Sequence, residues 1–227
     1  MRDADPKMYR WIWLGEATGV DDLIYYMYGP ENRTRPGDGK RYPLIGIGMD
    51  YGQQNATTYQ PFGLDLGEKR LQGLAEYYHS GREAGRQRSP SEYARDLVAL
   101  TDRLHGDYHC GEFYVYIDPS AAGLSEEIKR LARGCSYQVI VKKAENDVAV
   151  GIQRVQKCFS YGVLQISPEQ EKLDWELGLY GYDKDSIERG KEVPLKVDDH
   201  ACDALRYVVM GLWSKIKYFL PPAERGE

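Results

Sequence analysis

Long hydrophobic runs are missing from this sequence. No stretch approaches the roughly 20 apolar residues that a membrane-spanning helix needs. The N-terminus, MRDADPKMYR, has no apolar centre of the signal-peptide kind, so a cytosolic setting is expected. Cysteine is scarce. Cys110, Cys135, Cys158 and Cys202 form no Cys-x-x-Cys pair and match no zinc spacing, which predicts reduced, buried thiols. An excess of positive charge is missing too. Lys and Arg number 30 against 35 Asp and Glu, a formal net charge of −5. Phosphate contacts favour a basic surface, so the chain alone is expected to hold nucleic acid weakly. There is no Gly-x-x-x-x-Gly-Lys-Ser/Thr phosphate loop, no internal repeat and no low-complexity segment.

What is present suits one sizeable α/β domain. The 227 residues are 42% hydrophobic and 29% charged, the balance of a globular chain. Residues 1–43 read as a lead-in: aromatic around Trp11 and Trp13, which are expected to dock on the core, then rich in Gly, Pro and charge up to Arg41. Residues 44–217 form the domain, and 218–227 a flexible tail. Within the domain, Leu44–Tyr51, Thr57–Leu66 and Arg70–Tyr78 read as strands, the last two turning at Gly67-Glu68-Lys69. Ser89, Pro90 and Glu92 open a helix to about Leu104 through a capping box. Strands at Phe113–Asp118, Tyr137–Val141 and Val163–Ile166 then alternate with helices at Ser125–Arg133, Asp147–Phe159, from Pro168, and Asp199 to about Lys217. This order predicts a mixed sheet, with three antiparallel strands followed by parallel ones and helices on both faces.

Three acids stand in unusual places. Asp50 ends the first strand, where Gly46, Gly48 and Asp50 share a face and Ile45, Ile47 and Met49 share the other. Asp118 ends the fourth strand. Asp203 lies in the last helix, one turn from His200 on the same face. If the first and fourth strands are neighbours, Asp50 and Asp118 meet at their ends, and the last helix can bring Asp203 and His200 over them. Carboxylates held so close repel unless a cation sits among them. Oxygen donors of this kind select Mg²⁺ or Mn²⁺. Two such ions about 4 Å apart activate water and stabilise the leaving oxygen of a phosphodiester. Each residue also has a plainer reading: a strand-end Asp as a turn residue, His200 as a surface histidine, Asp203 as the partner of Arg206, Asp198 and Asp199 as helix caps. Asp199 is a lesser metal candidate, four residues before Asp203 on the same face.

The motifs add to this. Ile47-Gly48-Met49-Asp50-Tyr51-Gly52 followed by Asn55-Ala56-Thr57, then Tyr116-Ile117-Asp118-Pro119-Ser120-Ala121, then Asp199-His200-Ala201-Cys202-Asp203-Ala204-Leu205-Arg206-Tyr207, together resemble the nuclease domain of bacteriophage large terminases. Lys143–Val148 and Gly151-Ile152 look familial too, and Tyr9–Glu16 looks like the segment that joins the terminase ATPase domain to its nuclease. The resemblance implies a ribonuclease H-like α/β fold and a two-metal endonuclease that cuts double-stranded viral DNA concatemers during packaging. It also implies Asp50, Asp118 and Asp203 as metal ligands, with His200 as an auxiliary group near the second ion. The cofactors would be two divalent ions, Mg²⁺ or Mn²⁺. The partners would be DNA, the portal protein and the small terminase subunit, in the cytoplasm of an infected bacterium. No membrane partner is expected. Without the phosphate loop, the chain reads as a fragment or stand-alone relative that lacks the ATPase domain.

For DNA contacts the candidates are Lys142 and Lys143, then Arg154 and Lys157, whose plainer reading is a solvated basic helix face. The Gly67–Arg70 turn is expected to border the site. Cutting with little sequence specificity is expected, since no recognition helix or zinc module occurs. Three rivals remain open here: an actin-like or sugar-kinase ATPase, suggested by Gly48–Thr57 but lacking a second Gly-rich loop; a Holliday-junction resolvase or transposase core; and a catalytically weak portal-docking module.

Overall fold

The computed structural model describes residues 23–52, 55–183, 186–187 and 189–225. Trp11 and Trp13 lie outside the described residues. Among the described residues seven strands form one sheet: β1 (Ile45–Asp50), β2 (Ala56–Asp65), β3 (Arg70–Gly73), β4 (Tyr77–Ser80), β5 (Glu112–Ile117), β6 (Gln138–Lys143) and β7 (Leu164–Gln165). The helices α1 (Pro90–Tyr108), α2 (Ala122–Ala132), α3 (Val148–Ser160), α4 (Glu171–Leu177) and α5 (His200–Ile216) accompany them.

The strand order is β6-β5-β1-β2-β3-β7, with β4 also paired to β2. The β1–β2, β2–β3 and β2–β4 pairs are antiparallel, and β1–β5, β5–β6 and β3–β7 are parallel. The expected mixed α/β sheet is therefore what the chain forms, with the first and fourth expected strands (β1 and β5) side by side at its centre.

Two hydrophobic layers cover the sheet. Residues of α1 and α2 pack with Ile45, Ile47 and Met49 on one face. Residues of α3, α4 and α5 pack on the other. Fully burying a Leu, Ile or Val contributes about 1.5–3 kcal/mol, so both layers stabilise the sheet strongly. Ile24 and Tyr25, from the expected lead-in, and Leu220, from the expected tail, are buried in the second layer.

Several boundaries differ from the sequence reading. The capping box of α1 forms as expected: Ser89 Oγ accepts from Glu92 N, and Glu92 Oε2 accepts from Ser89 N at 2.8 Å. The helix runs on to Tyr108 because Leu97, Leu100 and Leu104 keep an apolar stripe in the core, and it stops at His109 in a left-handed conformation (φ 51°). The expected third strand, Arg70–Tyr78, divides into β3 and β4. Opposite the break stands Pro61 of β2, which has no N–H to give and only accepts, from Leu74 N at 3.1 Å. Glu76 turns away from the break to accept Lys172 N (2.8 Å) and Leu173 N (2.9 Å) at the start of α4. That helix begins at Glu171 rather than Pro168, because Ser167–Gln170 form a turn in which Gln170 Oε1 accepts Ser167 N.

Candidate metal and nuclease site

The centre of the sheet builds the site. Met49 of β1 lies beside Ile117 of β5 in parallel register. Asp50, the last residue of β1, and Asp118, the first beyond β5, therefore leave the sheet together. On the other side of β1, α5 lies almost against the backbone. A Cβ at Gly48 would fall 1.7 Å from the Ala204 carbonyl oxygen, and one at Gly46 would fall 2.7 Å from Val208 and Leu212. Only glycine admits the helix this closely. The approach carries the first turn of α5, with His200 and Asp203, over the end of β1.

The start of α5 is not held as the sequence suggests. Asp199 occupies the N-cap position but makes no side-chain cap. Instead Glu176 Oε2, from α4, accepts Ala201 N (2.7 Å) and Cys202 N (3.0 Å). A carboxylate against a helix N-terminus is favoured by the unpaired N–H groups and the helix dipole. Burial pushes the Glu176 carboxyl well above its ordinary value, and the two N–H groups only partly offset that.

Each acid has defined partners. Asp50 Oδ2 meets His200 Nδ1 at 2.8 Å, the two side chains being 18% and 20% exposed. Burial raises the Asp50 carboxyl, and the bond to His200 opposes this. The bond to Asp50 raises the His200 imidazole, against burial. Asp118 accepts from Ser120 N (2.7 Å), Asn146 Nδ2 (2.8 Å) and the Tyr207 hydroxyl (3.5 Å). Burial pushes its carboxyl up, but the bonds from Ser120, Asn146 and Tyr207 outweigh that and hold it low. Asp203 Oδ1 accepts from Arg206, and Asp203 Oδ2 accepts from Lys196 Nζ at 3.1 Å. The same Nζ donates to Asp199 Oδ2 at 2.9 Å.

Tyr207 senses all three acids and touches one of them, Asp118. Its phenol is raised first by burial and then by the negative charges of Asp50, Asp203 and Asp118. The three acids singled out in the sequence thus lie within electrostatic range of one side chain, although they are 68 and 85 residues apart in the chain. In kind, this donor set fits hard divalent ions. Among the described residues, no three or more His, Cys, Asp or Glu side chains are grouped so that they could hold a metal ion as they stand. The acids are held instead by His200, Asn146, Lys196 and Arg206, two of which bring cationic charge to Asp203.

Lys142 and Lys143 end β6 beside Tyr116 and Ile117 and are exposed, with Lys142 Nζ 4.5 Å above the Tyr114 ring. They share the sheet end that carries Asp118. Arg154 and Lys157 are engaged elsewhere. The Arg154 guanidinium lies over Trp213 at 4.7 Å, and Lys157 pairs with Glu224. The Gly67–Arg70 turn does not border the site. Asp65 pairs with Arg70 and Asp50 with Thr58, so the turn is at the opposite end of β2, tied to Lys40 through Asp65 and Glu68. All four cysteines are free, and Cys110, Cys158 and Cys202 are buried.

Sequence reasoning passed over Asn146, Tyr207, Glu176 and Lys196. Asn146 and Tyr207 both lie inside the quoted motifs, so their position was the available signal. Nothing local marks Glu176, whose role depends on tertiary packing.

No family model matches the chain, and no curated protein does. Solved structures do. A large terminase from a thermophilic bacteriophage is similar over 83% of this chain at 31% identity and a TM-score of 0.70. The P22 large terminase nuclease domain covers 83% of this chain and 91% of its own length, at 13% identity and a TM-score of 0.62. The large terminase nuclease of another thermophilic phage, G20c, solved with bound cobalt, covers 83% and 96%, at 18% identity and a TM-score of 0.52. A magnesium-bound form of the G20c nuclease is also solved. The fold is that of the ribonuclease H-like nuclease domains. Within that class, the resemblance to the nuclease domain of bacteriophage large terminases stands in motifs, in fold and, for the first of these relatives, in nearly a third of the aligned residues. The chain spans 45% of the length of that relative.

Proposed function

We propose that this chain is a divalent-metal-dependent endonuclease that hydrolyses phosphodiester bonds of double-stranded viral DNA concatemers during genome packaging, with little sequence specificity. One observation carries the reading: Asp50 and Asp118 leave two adjacent parallel strands side by side, and His200, one helical turn from Asp203 on α5, meets Asp50 at 2.8 Å. The metal-bound G20c nuclease supports it by analogy of fold.

Asp50, Asp118 and Asp203 would hold two ions, Mg²⁺ or Mn²⁺, with Asp199 as a lesser ligand. When bound, such ions supply a polarised water and a counter-charge for the leaving oxygen. The chain's own groups do the rest. Asn146, Ser120 and Tyr207 hold Asp118 ionised and fixed. Asp50 holds His200 through Nδ1, which leaves Nε2 to keep or pass a proton near the cleaved strand. Lys142 and Lys143 would contact backbone phosphates on the flank of Asp118. The portal protein and small terminase subunit are the partners proposed, within the infected bacterial host.

The test is cleavage of supercoiled plasmid with Mn²⁺, Mg²⁺ or EDTA, beside folded Asp50→Ala and Asp203→Ala variants. Metal-dependent nicking that both variants lose supports the reading. Cleavage that survives in the variants, or none in the wild type, removes it. A strong preference for branched DNA would move the substrate to a Holliday junction.

A further inference from the structure

Asp203 is the one acid of the site whose two oxygens are both held by cations, and the two cations differ. Arg206 is part of the interior, its side chain 2% exposed, and it takes Oδ1. Lys196 approaches from outside, its side chain 59% exposed, and its Nζ bridges Asp203 Oδ2 and Asp199 Oδ2. Asp199 is itself buried. Lys196 rides on a short connecting segment. Leu195 N is tied to Gly181 O at 2.9 Å, and beyond Lys196 come Val197, 58% exposed, and Asp198, held at φ 49°. The lysine also lines a groove shared with Ala149 and Gln153 of α3 and with Glu192.

We propose that Lys196 is a built-in competitor for the metal ion at Asp203: its ammonium holds the carboxylate oxygens that a divalent ion would take, and the ion binds there only as Lys196 withdraws. This rests on the metal-dependent reading above. An ammonium and a divalent ion compete for one pair of oxygens, because like charges about 4 Å apart repel in a partly buried setting. Arg206 remains in both states, keeping Asp203 Oδ2 turned outward. Lys196 therefore sets how tightly the site takes its ion.

The test is calorimetric titration of the whole chain with MnCl₂ at fixed pH and salt, for wild type, Lys196→Ala, Lys196→Met, Lys196→Arg and Asp203→Asn. Melting curves in EDTA establish that each variant is folded. Partly exposed ion pairs contribute little each, so Lys196→Ala and Lys196→Met are expected to bind Mn²⁺ roughly threefold to tenfold more tightly, with Lys196→Arg close to wild type. Equal or weaker binding by both neutral variants overturns the proposal. If Asp203→Asn abolishes binding while the neutral lysine variants match wild type, only the role of Lys196 falls. If folded wild type and variants all fail to bind Mn²⁺, the metal reading falls and takes this proposal with it.

Discussion

His200 and Asp50 lie 150 residues apart in the chain, yet Nδ1 of one and Oδ2 of the other stand 2.8 Å apart where α5 meets the end of β1. This contact joins the two halves of the site and makes stability depend on pH. The folded imidazole is raised above 6.5 by its bond to Asp50. Its contribution is therefore complete below the unfolded value and is lost as pH rises through the higher folded one. Denaturant unfolding of wild type and His200→Gln should differ most below the unfolded imidazole value and converge as pH rises past the folded one. A gap that stays constant across that range would mean the imidazole is not held in its charged form.

Gly48→Ala should be among the costliest single-methyl additions in the molecule. Its Cβ would fall 1.7 Å from the Ala204 backbone oxygen, which no rotamer change can relieve. Overpacking of this kind costs about 3 kcal/mol or more, and α5 would have to lift from β1. Equilibrium unfolding measures the first effect. Loss of metal-dependent plasmid cleavage under conditions where the variant remains folded measures the second.

Glu176→Ala should loosen the start of α5. Two N–H groups, on Ala201 and Cys202, lose their acceptor inside the protein, at a cost of roughly 2 kcal/mol. Glu176→Gln keeps one acceptor oxygen and should be much milder. The wild-type carboxyl is raised well above 4.5, chiefly by burial, so its stabilising contribution is present below that value and is lost as pH rises through the folded one. The glutamine variant should lack that loss in a pH series of unfolding curves.

Asn146→Ala removes a 2.8 Å bond that steadies Asp118 without touching the fold's core. Supporting bonds of this kind are worth about 10- to 100-fold in metal affinity or activity. Plasmid cleavage should fall by that order with little change in melting temperature. Unchanged cleavage would show that Ser120 and Tyr207 hold Asp118 by themselves.

Lys142→Ala and Lys143→Ala should weaken DNA binding alike for all sequences. Each lysine that meets a phosphate should lower the slope of log affinity against log salt by about 1. Fluorescence anisotropy across a salt series measures this, and an unchanged slope would place the DNA path elsewhere.

Much of this arrangement was legible in the chain. The period-two pattern of Ile45-Gly46-Ile47-Gly48-Met49-Asp50 showed both a strand and the bare face that α5 covers, and Ser89-Pro90-Ser91-Glu92 showed a helix start. The neighbouring positions of Asp50 and Asp118 at strand ends, and of His200 and Asp203 on the last helix, were legible because an acid at a strand end or on a largely apolar helix stands out. What was not legible depended on distant residues. Pro61 breaks the strand opposite it through the N–H it lacks, and Glu176 caps a helix that begins 24 residues later. The Gly67–Arg70 turn looked close to the site only because a linear reading does not say which end of a hairpin carries the reactive residue.

The near-contact of Gly48 with Ala204 has a consequence for how the site tolerates change. Where a helix rests on a strand through backbone atoms, the spacing between them does not depend on the size of the intervening side chains. Leucines, valines and tyrosines elsewhere in the two layers can be exchanged and repacked, and the distance from strand end to helix turn is still set by two main chains. The reach from Asp50 to Asp203 is in this sense a property of the peptide backbone, insulated from drift in the core around it.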